Sequence, residues 1–305
     1  MAAIKNGTNH LRAMTFNLWL AGDNVVGGAY KIAKHIRIVD PDVVALQEVQ
    51  YKTTLDELLD KLGPGYSGFA IHESPDSNIA IITKHLIDYS SMVHTVESIG
   101  FKITLSESNK SIHFYSLHLD HKSYGPYAAN FKNVKNISII ERGERVRIRN
   151  VENLVALPEF QAHVAEAKEG GTPLIMAGDF NSPSHLDWTD AAKHLHGDWV
   201  IDWPASKLLT EKAHLKDSFR EVHPNILQNP GTTWSTVHQS FSDDWDRLIP
   251  EVYDRIDFIL YNSPKLIPVD SYTYSGNLPL MPQPFQRYND YPSDHYAVIT
   301  DFMYK

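Results

Sequence analysis

The sequence contains no cysteine among its 305 residues. This absence excludes disulfide bonds, zinc sites built on thiolates and cysteine nucleophiles, so any bound metal must be held by oxygen or nitrogen ligands. The chain also lacks an apolar run approaching the roughly 20 residues that a membrane-spanning helix requires. Its first residues, MAAIKNGTNH, form no apolar signal segment. We therefore expect a soluble protein without a transmembrane segment, either cytoplasmic or the mature chain of a secreted protein.

Basic residues are also in deficit, because 28 Lys and Arg stand against 37 Asp and Glu and give a formal net charge of −9. There is no long basic stretch. Such a charge repels polyanions, although a bound cation can reverse the sign of the field locally. Nucleic acid is therefore a possible partner but not the favoured one.

Short apolar runs of strand length recur along the chain and alternate with helix-like segments. Several runs are apolar throughout, which is typical of strands covered on both faces, and this predicts an α/β fold in which two mixed sheets pack together with helices outside. We expect residues 1–10 to be an N-terminal extension and residues 11–305 to form a single domain. The predicted strands are Leu11–Leu20, Val43–Val49, Ile79–Ile82, Ser111–Leu119, Leu174–Ala177, Ile256–Tyr261 and Ala297–Met303, and the predicted helices are Ala29–Val39, Thr53–Leu62 and Arg145–Lys168.

Polar residues stand at the ends of these predicted strands, where sites on α/β scaffolds form. Glu48 follows a buried strand, and a carboxylate there is costly unless it is paired in a salt bridge or bound to a metal, so both alternatives stand. Asp179 and Asn181 are two residues apart, which predicts a common face. Asp179 can orient or deprotonate water and Asn181 can donate to a phosphate oxygen, although a Gly-Asp turn with an Asn cap gives the same pattern.

Two histidines also stand at strand ends. His295 precedes the last strand and can act as a general base or as a stabilising imidazolium, with Asp257 from a neighbouring strand as its orienting carboxylate. His118 ends another strand and can protonate a leaving-group oxygen. In a chain with 16 histidines a structural role for His118 is the alternative.

Six short segments resemble the endonuclease/exonuclease/phosphatase superfamily and occur in that family's order between residues 14 and 302. The extended segment GDFNSPSHLDW at 178–188 is similar to a branch of that superfamily whose members lack an assigned substrate. The segments are TFNLW around Asn17, LQEV around Glu48, SLH ending at His118, GDFN with Asp179 and Asn181, RIDFIL with Asp257, and SDH at 293–295.

The resemblance implies a four-layer α/β/β/α sandwich with the site at one edge, and it implies a role for each residue. Glu48 would be the main ligand of Mg²⁺ or Mn²⁺, with Asn17 beside it and Asp294 assisting. Asp179 would align the attacking water and Asn181 would hold the scissile phosphate. His295, oriented by Asp257, would stabilise the transition state, and His118 would contact the phosphate or the leaving group.

These observations predict a divalent-metal-dependent phosphoesterase, and the acidic net charge favours a phosphodiester in a small-molecule or lipid-linked substrate. The alternatives are a nuclease on DNA or RNA, an inactive binding protein, and a sphingomyelinase-like phospholipase C that docks on lipid through the apolar loop Tyr272–Pro292.

Arg142, Arg145 and Arg149 have helical spacing and could bind a second phosphate from one helix face, and Arg145 is counted with Asn181 and His118 among the candidate phosphate-binding residues. A solvated helix face paired with neighbouring glutamates is the alternative for these arginines.

Overall fold

The structure is a computed structural model that describes residues 9–72, 78–130, 134–242 and 248–305. Most of the predicted N-terminal extension lies outside these ranges, and His10 already belongs to the first strand. The strands are β1 (His10–Asn17), β2 (Val43–Gln47), β3 (Ser67–His72), β4 (Asn78–Thr83), β5 (Leu86–Thr95), β6 (Ser98–Thr104), β7 (Ser111–His118), β8 (Leu174–Asp179), β9 (Lys216–Asp217), β10 (Ser240–Ser242), β11 (Leu248–Pro250), β12 (Asp257–Asn262), β13 (Leu266–Tyr274) and β14 (Ala297–Tyr304). The α-helices are α1 (Gly28–Val39), α2 (Thr54–Leu62), α3 (Gly125–Asn130), α4 (Ile137–Gly143), α5 (Arg145–Val155), α6 (Pro158–Lys168), α7 (Pro204–Ala213) and α8 (Ser218–Val222).

Two mixed six-stranded sheets form the centre of the fold, one in the order β13-β14-β1-β2-β4-β3 and the other in the order β5-β6-β7-β8-β12-β9. Apolar side chains from both sheets meet in a buried layer between them. Helices α1 and α2 cover the outer face of the first sheet, and α5, α6 and α7 cover that of the second. The predicted four-layer sandwich is confirmed.

The central strands of each sheet bring their ends to one edge of the molecule. β1 pairs in parallel with β2, and β7 pairs in parallel with β8, so each pair carries its carboxyl ends to the same side. β14 runs antiparallel to β1 and β12 runs antiparallel to β8, so the amino ends of β12 and β14 arrive at that side too. The apolar character of β2 and β8 follows from their position, since both are buried along their whole length.

One chain of buried polar side chains crosses the apolar layer between the sheets. The Thr15 hydroxyl donates to Gln47 Oε1 at 3.1 Å, and Gln47 Nε2 donates to the Ser116 hydroxyl at 3.2 Å. Because a buried polar group that loses its partner is costly, this chain holds β1, β2 and β7 in one relative position next to the edge where their ends meet.

The helices α1 and α2 agree with the predictions, but the predicted single helix Arg145–Lys168 is wrong. It is divided into α5 and α6 because Pro158 disfavours the helical conformation at the residue before it, and Leu157 is extended with φ −73° and ψ 125°. β1 likewise ends at Asn17 rather than Leu20, since the following residues turn into left-handed backbone conformations. None of the helices in the described ranges is long and apolar enough to span a bilayer.

Candidate active site

The polar strand-end residues singled out in the sequence lie together at the edge where the central strands end. They come from both sheets, so the site lies across the sandwich rather than on one sheet. Asn17, His118 and Asp179 end β1, β7 and β8, Glu48 follows β2, Asp257 opens β12, and Asp294 and His295 precede β14.

Asp179 occupies the centre of this group and is buried. Its Oδ2 lies 3.0 Å from Asn17 Nδ2 and 3.4 Å from Asn181 Nδ2. The same oxygen lies 3.6 Å from His118 Nε2 and 3.8 Å from His295 Nε2. Burial, together with a neighbouring carboxylate, raises the pKa of Asp179 to about 8. A carboxyl group with such a pKa can exchange a proton near neutral pH.

His295 and Asp257 form a buried pair in which Nδ1 of the imidazole lies 2.9 Å from Oδ2 of the carboxylate. Burial by itself lowers the pKa of His295, but the negative charges of Asp257 and Asp179 outweigh it and raise that pKa well above its usual value. The ring is therefore a cation that directs Nε2–H towards the centre of the site, where it can donate to a group that gains negative charge.

Asn17 links the two carboxylates that face each other across the sandwich. Its Nδ2 donates to Glu48 Oε1 at 3.2 Å as well as to Asp179. The backbone N–H of Trp19 donates to Asn17 Oδ1 at 2.9 Å, and that of Leu20 donates to Glu48 Oε2 at 2.7 Å. The left-handed backbone of Glu48, with φ 57°, ends β2 and turns this half-buried side chain towards Asn17.

Asn181 lies beside Asp179, but not because of strand alternation. β8 ends at Asp179, and Asn181 follows in a left-handed turn with φ 48°. Its backbone N–H donates to Asp179 Oδ1 at 2.7 Å, and its Nδ2 donates to the Leu119 carbonyl at 3.0 Å. The expectation of a common strand face is therefore wrong, and the turn makes the two side chains neighbours.

His118 is buried at the end of β7. Burial lowers the pKa of His118, so its imidazole is neutral at pH 7. Nε2 faces Asp179, and Nδ1 has no hydrogen-bond partner among the residues that the structure describes. A neutral imidazole in this position has one donor and one acceptor available for a ligand.

Sequence reasoning missed His238, which contacts Asp294. His238 Nε2 lies 3.1 Å from Asp294 Oδ2, while Asp294 Oδ1 is buried without a partner in the described ranges. The Trp234 ring stacks on His238 with centroids 4.9 Å apart and also tilts over His295. His238 lies in a loop with no strand or helix pattern, and in a chain so rich in histidine the sequence carried no signal for it.

The charge of the site fits a divalent cation. Four acidic side chains, those of Glu48, Asp179, Asp257 and Asp294, surround a single cationic imidazole. Burial and the nearby carboxylate of Glu48 raise the pKa of Asp294. Because unpaired buried carboxylates are costly, a cation held near Glu48 and the partnerless oxygen of Asp294 would stabilise the group.

A second grouping, Asp179, Asp257 and His295, also brings its ligand atoms within 4.8 Å of one another. We do not assign the cation to this grouping, because Nδ1 of His295 is already engaged by Asp257 Oδ2 at 2.9 Å and Asp179 Oδ2 already accepts from Asn17 Nδ2 at 3.0 Å. Its geometry is explained by the hydrogen-bonded pair of His295 and Asp257 beside the central carboxylate.

The three arginines predicted to share a helix face do not do so. Arg142 belongs to α4 and Arg145 to α5, and the two helices are separate elements that meet at Glu144. Arg149 lies 3.2 Å from Glu152, as the alternative of a paired, solvated helix face predicts. Arg142 and Arg145 instead line a cavity of about 1040 Å³.

Arg147, from the same stretch of sequence, is structural. It is buried and pairs with Glu144. Its guanidinium also donates to the carbonyl oxygens of Asp120 at 2.8 Å and Lys122 at 2.7 Å. The buried guanidinium of Arg147 therefore fixes the loop that begins directly after His118, at the end of β7.

A smaller pocket of about 190 Å³ opens beside Asn181, with mostly aromatic walls. Trp234 contributes to it, whereas Trp188 and Trp203 are buried in the core and Trp245 lies outside the described residues. The lining residues are His121, Tyr124, Tyr127, Asn181, Trp234 and Ile256.

This geometry is found in a chain whose residues 14–295 match the model of the Endonuclease/Exonuclease/phosphatase family. The chain belongs to this family. Members of the Endonuclease/Exonuclease/phosphatase family are metal-dependent phosphoester hydrolases, and the chain is an enzyme of this class that depends on a divalent metal.

Proteins of known sequence and of known structure are similar to this chain. The uncharacterized protein F14F9.5 of Caenorhabditis elegans is 46% identical over 298 residues, which cover 97% of this chain and 92% of that protein. The fold is similar to that of the human Nocturnin catalytic domain with bound sulfate, at 20% identity and a TM-score of 0.57, covering 97% of this chain and 95% of that one. It is also similar to D. rerio TDP2 complexed with a single-strand DNA product, at 19% identity and a TM-score of 0.56, covering 96% and 98%.

Proposed function

We propose that the chain hydrolyses a phosphodiester in a small-molecule or lipid-linked substrate, with Mg²⁺ or Mn²⁺ as its cation. The observation that carries this proposal is the surrounding of Asp179. A buried carboxylate with a raised pKa faces a neutral imidazole, a cationic imidazole and two side-chain amides, all within 3.8 Å of one oxygen. This arrangement supports proton transfer from a water and stabilisation of an anionic phosphoryl group at one place.

Glu48 would be the main ligand of the cation, with Asp294 assisting and Asn17 adjacent. The second lone pair of Asn17 Oδ1 is available, because among the described residues the Trp19 N–H alone donates to that oxygen. When bound, a divalent cation supplies positive charge that neutralises phosphoryl oxygens. Oxygen ligands of this kind are those that Mg²⁺ prefers, and Mn²⁺ takes the same set.

The remaining residues act on the water and the phosphate. Asp179, in its ionised form, orients the attacking water and takes its proton as the new P–O bond forms and the P–O bond to the leaving-group oxygen breaks. The departing oxygen leaves as an anion that solvent protonates. His295 donates Nε2–H to a non-bridging phosphate oxygen, and Asp257 holds the ring in place. Asn181 turns an amide hydrogen from its long 3.4 Å contact with Asp179 towards the phosphate, and His118 donates to the leaving-group oxygen.

The preference for a compact substrate rests on the charge and on the pocket. A net charge of −9 does not attract a long polyanion. The pocket beside Asn181, at about 190 Å³, has the size of a small group rather than of a duplex.

Two other substrate classes are supported by single observations. A nuclease is suggested by the similar fold of D. rerio TDP2, which was solved with single-strand DNA product. A sphingomyelinase-like enzyme is suggested by Leu278, Met281 and Phe285, which are exposed in the loop after β13. That loop is ordered, because Asn289 exchanges two hydrogen bonds of 2.8 and 2.9 Å with the backbone of Met281.

The test is hydrolysis by metal-stripped protein with and without Mg²⁺ or Mn²⁺. Substrates are bis-p-nitrophenyl phosphate, p-nitrophenyl phosphate, plasmid DNA, RNA, inositol phosphates and sphingomyelin vesicles. We expect a cation to restore diester hydrolysis, and Glu48→Ala to lose it. Glu57→Ala, on the exposed face of α2, is the matched control and should behave as wild type.

Each substrate class has its own outcome. A steep fall in activity with salt and competition by bulk DNA would favour the nuclease, and activity confined to vesicles would favour the lipid enzyme. Hydrolysis that Glu48→Ala leaves intact would contradict the assignment of the cation to Glu48.

A further inference from the structure

A large cavity adjoins the catalytic pocket through a shared wall. The cavity of about 1040 Å³ and the smaller pocket beside Asn181 are both lined by Tyr124 and Tyr127. We call the larger space the arginine cavity; it is lined by Asp120, Lys122, Ser123, Tyr124, Tyr127, Ala128, Ile139, Ile140, Arg142, Gly143, Arg145 and Val146. The two spaces therefore adjoin each other at these two tyrosine rings.

The arginine cavity is lined by apolar and aromatic side chains together with one carboxylate, Asp120, and three cations, Lys122, Arg142 and Arg145. Arg142 and Arg145 are exposed, and neither makes a hydrogen bond or ion pair with any residue in the described ranges. Their neighbours differ, since Arg147 is paired with Glu144 and Arg149 with Glu152. Glu144, at the junction of α4 and α5, is thus paired with Arg147. The charges of Arg142 and Arg145 therefore remain available to an anionic ligand.

The break between α4 and α5 also places the two arginines on different helices that face one space. A guanidinium presents parallel N–H donors that match phosphate oxygens, and two of them bind a phosphate more tightly and more directionally than solvated lysines would. The isoleucines and Val146 of the lining suit an uncharged spacer. The rings of Tyr124 and Tyr127 add aromatic contact surface, with one face of Tyr127 already covered by Phe241 at a centroid distance of 3.8 Å.

We propose that the arginine cavity binds a second phosphate of the substrate. The substrate is then a small phosphate ester that carries another phosphate beyond an apolar or ring-containing spacer lying along Tyr124 and Tyr127. This inference rests on the proposed function, because it takes the catalytic pocket as the place of the scissile phosphate.

The experiment measures binding rather than turnover. Isothermal titration calorimetry on the full chain with Mg²⁺ compares a series of α,ω-alkanediol bisphosphates with alkyl monophosphates of equal length. We expect the bisphosphate of the right length to bind at least about tenfold more tightly. The gain should disappear in the double variant Arg142→Gln/Arg145→Gln and persist in Arg149→Gln, a matched control on the same helix.

Two further pairs of ligands identify the kind of molecule that carries the second phosphate. A nucleoside bisphosphate and an inositol bisphosphate, each measured against its monophosphate, separate a nucleotide from a lipid headgroup. The proposal is overturned if none of these ligands shows a gain in affinity that depends on Arg142 and Arg145. It is also overturned if Arg149→Gln removes the gain to the same extent.

Failure of this proposal is distinguishable from failure of the proposed function. If bis-p-nitrophenyl phosphate is hydrolysed but no second-phosphate gain is found, only the arginine cavity is wrongly assigned. If no substrate is hydrolysed with any cation, the proposed function fails. The difference in affinity between bisphosphates and monophosphates, measured by calorimetry, still tests whether the arginine cavity binds a phosphate. Because both arginines are exposed, the double variant should keep the wild-type melting temperature.

Discussion

Replacing Asp257 with asparagine tests the central electrostatic feature of the site. The change keeps the shape of the side chain and an oxygen that can accept from His295 Nδ1, which lies 2.9 Å from the present carboxylate. It removes the negative charge that holds the His295 ring as a cation. We therefore expect a loss in kcat with little change in the fold.

The size of the loss follows from the contact. Opposite unit charges about 4 Å apart interact by about 4 kcal/mol in a protein environment of intermediate dielectric. The retained neutral hydrogen bond restores about 1 kcal/mol. The remaining rise of about 3 kcal/mol in the barrier corresponds to about a 10²-fold fall in kcat.

The assay is steady-state hydrolysis of the best diester substrate, together with a titration of Mg²⁺. The double variant Asp257→Asn/His295→Gln should be no slower than His295→Gln alone, because both changes act through one imidazole. Asp301→Asn is the control, since Asp301 is a buried carboxylate paired with Arg12 away from the site; it should lower the melting temperature and leave kcat unchanged.

Two results would refute the reasoning. One is a fall in kcat of less than about tenfold in Asp257→Asn, which is too small for the loss of a preorganised charge. The other is an Mg²⁺ requirement raised more than about tenfold in that variant, which would identify Asp179, Asp257 and His295 as the metal ligands instead.

Three further changes give separate predictions. His238→Ala removes the partner that lies 3.1 Å from Asp294 Oδ2, and we expect the Mg²⁺ concentration for half-maximal activity to rise about tenfold, with His238→Gln intermediate in the same titration. Gly178→Ala would place a Cβ 2.0 Å from the Leu117 carbonyl oxygen. We expect it to lower the unfolding free energy by more than about 3 kcal/mol in urea, and a variant as stable as wild type would contradict this packing. Burial lowers the pKa of His163 to about 4, whereas the unfolded side chain takes up its proton near pH 6.5. Stability should therefore be complete above about pH 6.5 and fall as the pH drops towards about 4, by about 2 kcal/mol for this partly buried group. His163→Gln should flatten the decline in denaturation curves measured across that range, and an unchanged decline would assign it to other groups.

The sequence was most informative where one strand supplied both the apolar run and the polar residue at its end. The runs ending near Asn17, Glu48, His118 and Asp179 predicted buried strands and the location of polar groups, because burial on both faces leaves a local signature in composition. It was least informative for helix boundaries in the arginine-rich stretch. There the periodicity of one long helix hid the interruption before Pro158, and the helical spacing of Arg142 and Arg145 hid the break between α4 and α5 at Glu144.

Residue types and their order along the chain were enough to establish the four-layer fold and the candidate chemistry of the site. The tertiary structure alone decided which groups touch. Asn17 from the first sheet lies 3.0 Å from Asp179 of the second, although 162 positions separate them. It also decided that His238 contacts Asp294, and that Arg147 is buried while Arg142 and Arg145 line a cavity next to the candidate site and pair with no residue in the described part of the chain. The reason is physical: periodicity records whether a residue is buried, whereas the partner of a strand-end or loop residue depends on how distant strands are ordered in the two sheets and how those sheets pack.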